Sequence, residues 1–168
     1  MFPTSNGGTR VESLDESFLI PPAEEYTING LDHIGSYIPR LFDTSNDFKS
    51  LSFFDTSGRG LGLHSRDGRI EAVFTLCKRT ELRTERLIRS FFMSLGVQPS
   101  KDYLADNGGR PDATLVLAYP LNRNLSEAVA FVRRILIELC GVQPGGGLQI
   151  KYWTKRKQRK ASGSHLNI

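Results

Sequence analysis

Apolar residues recur along this chain in two rhythms. From residue 125 onward, Leu125, Ala128, Val129, Val132, Ile135, Leu136 and Leu139 return at intervals of three and four, the spacing of one helix face. Asn124 followed by Glu127 makes a capping box at the start, and Gly141 offers a left-handed stop at the end. A second helix is predicted from a Thr80 cap to about Leu95, with Ile88, Phe91, Phe92 and Leu95 on one side and Arg83, Arg86 and Arg89 largely opposite. Gly96 stops it. Leu31–Phe42 has near-helical spacing interrupted by Gly35 and Pro39, which predicts a short, imperfect helix.

The other rhythm is that of strands. Leu51–Asp55, a glycine-rich Gly60–His64 and Arg69–Leu76 read as three of them, and Asp67-Gly68 is a two-residue hairpin signal. Ala113–Tyr119, ended by Pro120, is a fourth; Leu148–Trp153, after Pro144-Gly145-Gly146-Gly147, is a fifth. The polar stretch containing Asn107-Gly108-Gly109 reads as a loop. Gly-Val-Gln-Pro occurs twice, at 96–99 and 141–144, each time after a helix. A recurring helix stop explains it more simply than a duplicated strand–helix unit.

This order predicts an α+β domain: a largely antiparallel five-stranded sheet with two main helices packed on one face, plus a short N-terminal helix. Residues 1–28 read as a flexible acidic arm, 29–154 as the single domain, and 155–168 as a basic, disordered tail. Within the arm, Leu14, Phe18, Leu19 and Ile20 form a small apolar knot, so Phe18, Leu19 and Ile20 are candidate protein-interaction residues.

Composition sharpens this picture only in part. With 168 residues, 39% hydrophobic and ten Phe, the chain can fill one core and is not wholly disordered. Two Cys make no disulfide framework, which points to a reducing interior. Met1–Glu25 lacks a basic start followed by an apolar run, and Arg133–Arg134 splits the most apolar stretch. A soluble, cytoplasmic protein is expected, or a nuclear one if the source is eukaryotic or a virus of eukaryotes.

The net charge of +4 is unevenly spread. Residues 1–48 carry two bases and eight acids, 49–150 fourteen bases and ten acids, and 151–160 six bases and no acid. The last decapeptide alone outweighs the whole net charge. Lys151, Lys155, Arg156, Lys157, Arg159 and Lys160 are therefore candidates for binding nucleic acid or an anionic surface. Tyr152 and Trp153 beside them are able to stack on bases. Arg83, Arg86 and Arg89 join the candidates as a basic stripe, although Glu81 and Glu85 offer intrahelical partners that would make it an ordinary solvated face.

Catalytic chemistry finds no support. Gly58-Arg59-Gly60-Leu61-Gly62 superficially resembles a phosphate-binding loop, but a strand follows where a helix N-terminus is needed. His33, His64 and His165 have no metal-ligand spacing; His64 and Asp67 read as a polar pair meeting across a hairpin. Cys77 and Cys140 read as structural thiols. No cofactor and no small-molecule substrate is identified, and the chain is expected not to be an enzyme.

Over about residues 30–142 the order of elements resembles the type III secretion chaperone-like group, including the YbjN-like proteins. The resemblance is carried by DGRIEAVFTL as the last strand of a meander, TERLIRSFFMSLGVQP as a helix with its stop, and ATLVLAYPLNRNLSEAVAFVRRILIEL as strand, capped turn and long helix. It implies a compact α+β module, often dimeric, that binds other polypeptides. The expectation is accordingly a non-enzymatic, chaperone- or scaffold-like protein-interaction module that binds another polypeptide and itself. The alternative is a structural or regulatory protein that associates with RNA, DNA or an anionic membrane through its basic tail.

Overall fold

The structure, a computed structural model, describes residues 23–43, 47–105, 113–121 and 124–155. Seven strands among them form one sheet: β1 (Glu24–Asn29), β2 (Phe48–Asp55), β3 (Gly60–Arg66), β4 (Arg69–Cys77), β5 (Lys101–Ala105), β6 (Thr114–Pro120) and β7 (Gly147–Lys155). Their spatial order is β1-β7-β2-β3-β4-β6-β5, and every pairing is antiparallel.

The five-stranded expectation is corrected to seven. Both additional strands are edges. All but the last residue of β1 fall in the stretch read as an arm, and only Tyr26 and Ile28 of its six residues pack against the core. β5 lies in the stretch read as a loop, and four of its five residues are exposed. An edge strand is held by the backbone ladder on one side and can form with little hydrophobic alternation. Phe18, Leu19 and Ile20 lie outside the described residues.

Alternation along the strands sends Leu51, Phe53, Leu61, Leu63, Ala72, Phe74, Leu117, Tyr119, Leu148 and Ile150 to one face, all of them buried. The helices pack there. Helix α1 (Leu82–Ser94) inserts Ile88 and Phe92, and Phe92 stacks on Tyr119 with ring centroids 3.8 Å apart and planes 5° from parallel. Helix α2 (Leu125–Arg134) inserts Ala128, Phe131 and Val132, then widens into a π turn, Ile135–Leu139. Each of the larger apolar side chains among these contributes about 1.5–3 kcal/mol when fully buried.

The predicted helix at 31–42 is instead two short 3-10 turns, Leu31–Ser36 and Ile38–Phe42, joined at Tyr37. Pro39 fits the second turn because it falls where a helix start has a backbone N–H to spare. Leu31, Ile34, Ile38 and Leu41 are nonetheless all buried.

Several local expectations hold. The Asn124 side chain accepts a hydrogen bond from the Glu127 N–H at 2.9 Å. Asp67 and Gly68 both take positive φ, 51° and 74°. Both GVQP segments are helix stops: Gly96 and Gly141 are left-handed, and Val97 and Val142 donate back to Phe92 and Leu136. Helix α1, however, is capped at Glu81 rather than Thr80, and the Glu81 carboxylate accepts the Cys77 N–H at 2.6 Å.

Candidate functional site

The opposite face of the sheet carries no helix among the described residues. Strand alternation explains what stands on it. Neighbours in β7 point to opposite sides, so Tyr152 joins the helix face while Lys151, Trp153 and Lys155 share the open one. Tyr152 lies under the Arg40 guanidinium, 5.1 Å from its ring centroid, together with Tyr26 and Tyr37. Of the adjacent aromatic pair, only Trp153 is available to the open face.

Trp153 does not stand alone. Its ring lies 5.0 Å from that of Phe48, and Phe48 lies 5.1 Å from the His64 ring at an edge-to-face angle of 71°. Register accounts for the cluster. Ser50 pairs with Trp153 on one side and His64 on the other, and it is 3% exposed at the centre of the three rings. The Arg66 guanidinium sits 5.4 Å from the Phe48 centroid, so a cation flanks the aromatic surface.

Charge on this face is mainly positive. Lys151, Lys155, Arg66, Arg69 and Lys101 stand against Glu25 and Glu71. Both acids are paired, Glu25 with Lys151 at 3.4 Å and Glu71 with Lys101 at 2.7 Å. Arg66 and Arg69 oppose each other directly across the hairpin, an arrangement that costs stability unless an anion relieves it. Across the same hairpin His64 faces Glu71, and not Asp67 as the sequence suggests. Burial, with the Lys101 charge adding to it, pushes the His64 imidazole below its ordinary value against the opposing effect of Glu71. The shift favours the neutral imidazole, which contributes a ring rather than a charge.

The predicted basic residues separate. Lys151 and Lys155 meet on the open face, whereas Arg83 and Arg86 are exposed on α1 in the helix layer. Arg89 is engaged structurally: it forms a two-pronged pair with Asp102 of β5, at 2.6 and 2.9 Å, and contacts Glu85 at 3.0 Å. Hydrogen bonds from Lys78 and then Arg89 hold the buried Glu85 carboxyl below the usual carboxylate range. Arg156, Lys157, Arg159 and Lys160 lie outside the described residues. Phe48, His64 and Arg66 are the members that sequence reasoning missed, since nothing local in their own strands places them beside Trp153.

A groove of about 500 Å³ adjoins this surface. β3 and β4 pair only from Gly62–Val73 to Arg66–Arg69, and beyond that ladder the groove runs from Ser52 and His64 toward α1 and Cys140. The glycine-rich segment at its rim is a hairpin, not a phosphate loop. Asp55 organises it by accepting hydrogen bonds from the Ser57 N–H, the Ser57 hydroxyl and the Arg59 N–H. Cys140 donates to the Gly60 carbonyl at 3.3 Å, and burial pushes its thiol up to about 12, far from reactive thiolate chemistry.

Among the described residues no group of three or more His, Cys, Asp and Glu side chains could hold a metal ion, and no helix is long and apolar enough to cross a membrane. Compared with protein-family models, curated proteins and solved structures, the chain matches none of them.

Proposed function

We propose that this protein is a non-catalytic binding module for single-stranded nucleic acid, with the open face of the sheet as its working surface. One observation carries the reading: Trp153, Phe48 and His64 form a contiguous row of rings, tilted by 48° and 71° to one another, bordered by Lys151, Lys155 and Arg66. Bases stack on aromatic rings at about 1–3 kcal/mol each, while neighbouring cations follow the phosphates. Lys155, the last residue of β7, is also the first residue of the basic run Lys155–Lys160 in the sequence.

Trp153 is the only tryptophan in the sequence, so its fluorescence reports on the site directly. Titrating the full chain with an oligothymidylate at low salt should quench that fluorescence saturably, and added salt should weaken the effect. An emission that ignores the oligonucleotide, or responds only to anionic vesicles, would sink the proposal.

Self-association is a second reading, favoured by the outer edge of β5. Tyr103 and Leu104 are 51% and 56% exposed there, and no described strand covers that edge. A bare edge with exposed apolar residues is a template for another strand, and a second copy of the chain would supply one. Light scattering should then give a dimer that Leu104→Lys converts to monomer. A monomeric parent chain would dismiss this reading.

A further inference from the structure

The groove between β3 and β4 is continuous with the aromatic platform, because His64 lines the one and touches Phe48 in the other. Its volume, about 500 Å³, falls within the roughly 300–1,000 Å³ of small-ligand sites. Phe54 and Ile88 supply apolar wall, and Ser52, Thr75 and Thr84 bring hydroxyls that can donate or accept. Glu81 lines the end near α1. Arg59 lines the rim and is paired with Asp55, while Glu81 accepts the Cys77 N–H. With both charges engaged, the groove suits an uncharged planar ring with hydrogen-bonding edges.

We infer that the groove takes one unstacked nucleobase from the strand lying across the open face. The inference rests on the open-face reading and deepens it: stacking on Trp153, Phe48 and His64 gives sequence-tolerant affinity, and the groove adds a position at which base identity is read. A base leaving the stack at His64 enters between the parted strands while its phosphates stay on the cationic side. Recognition of unstacked bases by their edges is the usual route to preference on single strands.

The test uses the full chain and pentathymidylate, intact or with one abasic nucleotide at each position in turn, read by Trp153 quenching. The wild type should lose at least about fivefold in affinity at one abasic position, as expected when one bound base is removed. The groove-filling variant Thr75→Phe/Thr84→Phe changes two exposed residues and adds no tryptophan. It should bind intact pentathymidylate at least about fivefold more weakly and no longer distinguish that position. Circular dichroism verifies its fold, and the single variant Thr84→Phe replaces it if the double variant misfolds. Quenching that is unchanged by the filling variant would overturn the groove while leaving the platform intact. Absence of quenching in the wild type would overturn both.

Discussion

The rings of Phe48 and Trp153 lie 5.0 Å apart with their planes tilted by 48°, joining the first residue of β2 to the end of β7. Because both stand on the open face rather than in the core, they can be removed with less cost to the fold than to binding. Phe48→Ala or Trp153→Ala should each weaken binding of a labelled oligothymidylate by about 5- to 150-fold, the equivalent of about 1–3 kcal/mol. The double variant should lose less than the two effects combined, since each ring supports the other. Fluorescence anisotropy measures the affinities, and urea unfolding of the same variants separates binding from stability.

Arg66→Gln and Lys155→Gln should act differently. Each removes one cation from the platform border, so binding should weaken for all sequences alike. The log–log salt slope should become shallower by about 0.7 for each single-strand phosphate that is no longer neutralised. Titrations at four salt concentrations give the slopes; an unaltered slope would remove these residues from the phosphate path.

Protonation of His64 should make stability depend on pH between neutrality and mild acid. Burial lowers its folded pKa below the ordinary value of 6.5, so the unfolded chain binds the proton more readily. The contribution is therefore complete above about pH 6.5 and is lost as pH falls through the folded value. Lys101 reinforces the shift and Glu71 opposes it, while the lowered carboxyls of Glu71, Glu85 and Asp102 act below about pH 4.5. The urea midpoint of the wild type should fall from pH 7.5 to 5.5 more than that of His64→Gln. Equal falls would show that His64 is not the group involved.

Gly60 and Gly58 occupy the same hairpin but should respond to alanine in opposite degrees. A Cβ at Gly60 would lie 1.8 Å from the Phe53 carbonyl oxygen, a clash that only backbone movement relieves. Gly58 has a φ of +79° and nothing within 4 Å of a Cβ, leaving the left-handed penalty of about 1–2 kcal/mol. Gly60→Ala should cost more than about 2 kcal/mol and exceed Gly58→Ala in urea unfolding. The reverse order would mean that the β2–β3 hairpin rearranges freely.

What could be read from the chain divides along physical lines. The stripe Ala128–Val132–Ile135–Leu136 marked its helix because helical geometry repeats every few residues, although its last two members fall in the π turn. Asn124, Asp67-Gly68, Gly96 and Gly141 likewise acted through their own backbone. Lys151, Trp153 and Lys155 share a face by strand alternation alone. Five of the seven strands and the α+β class were legible on these grounds.

Tertiary structure decided the rest. β1 and β5 exist because β7 and β6 offer unpaired edges, a condition that Glu24–Asn29 and Lys101–Ala105 do not encode in their own hydrophobicity. Arg89 left the candidate basic surface because the fold brings Asp102 to it. The platform itself required β2 to lie between β3 and β7, in a register that sets Ser50 opposite both His64 and Trp153. Local geometry repeats within a few residues and can be read along the chain, whereas strand order and register come from packing distant segments into one core.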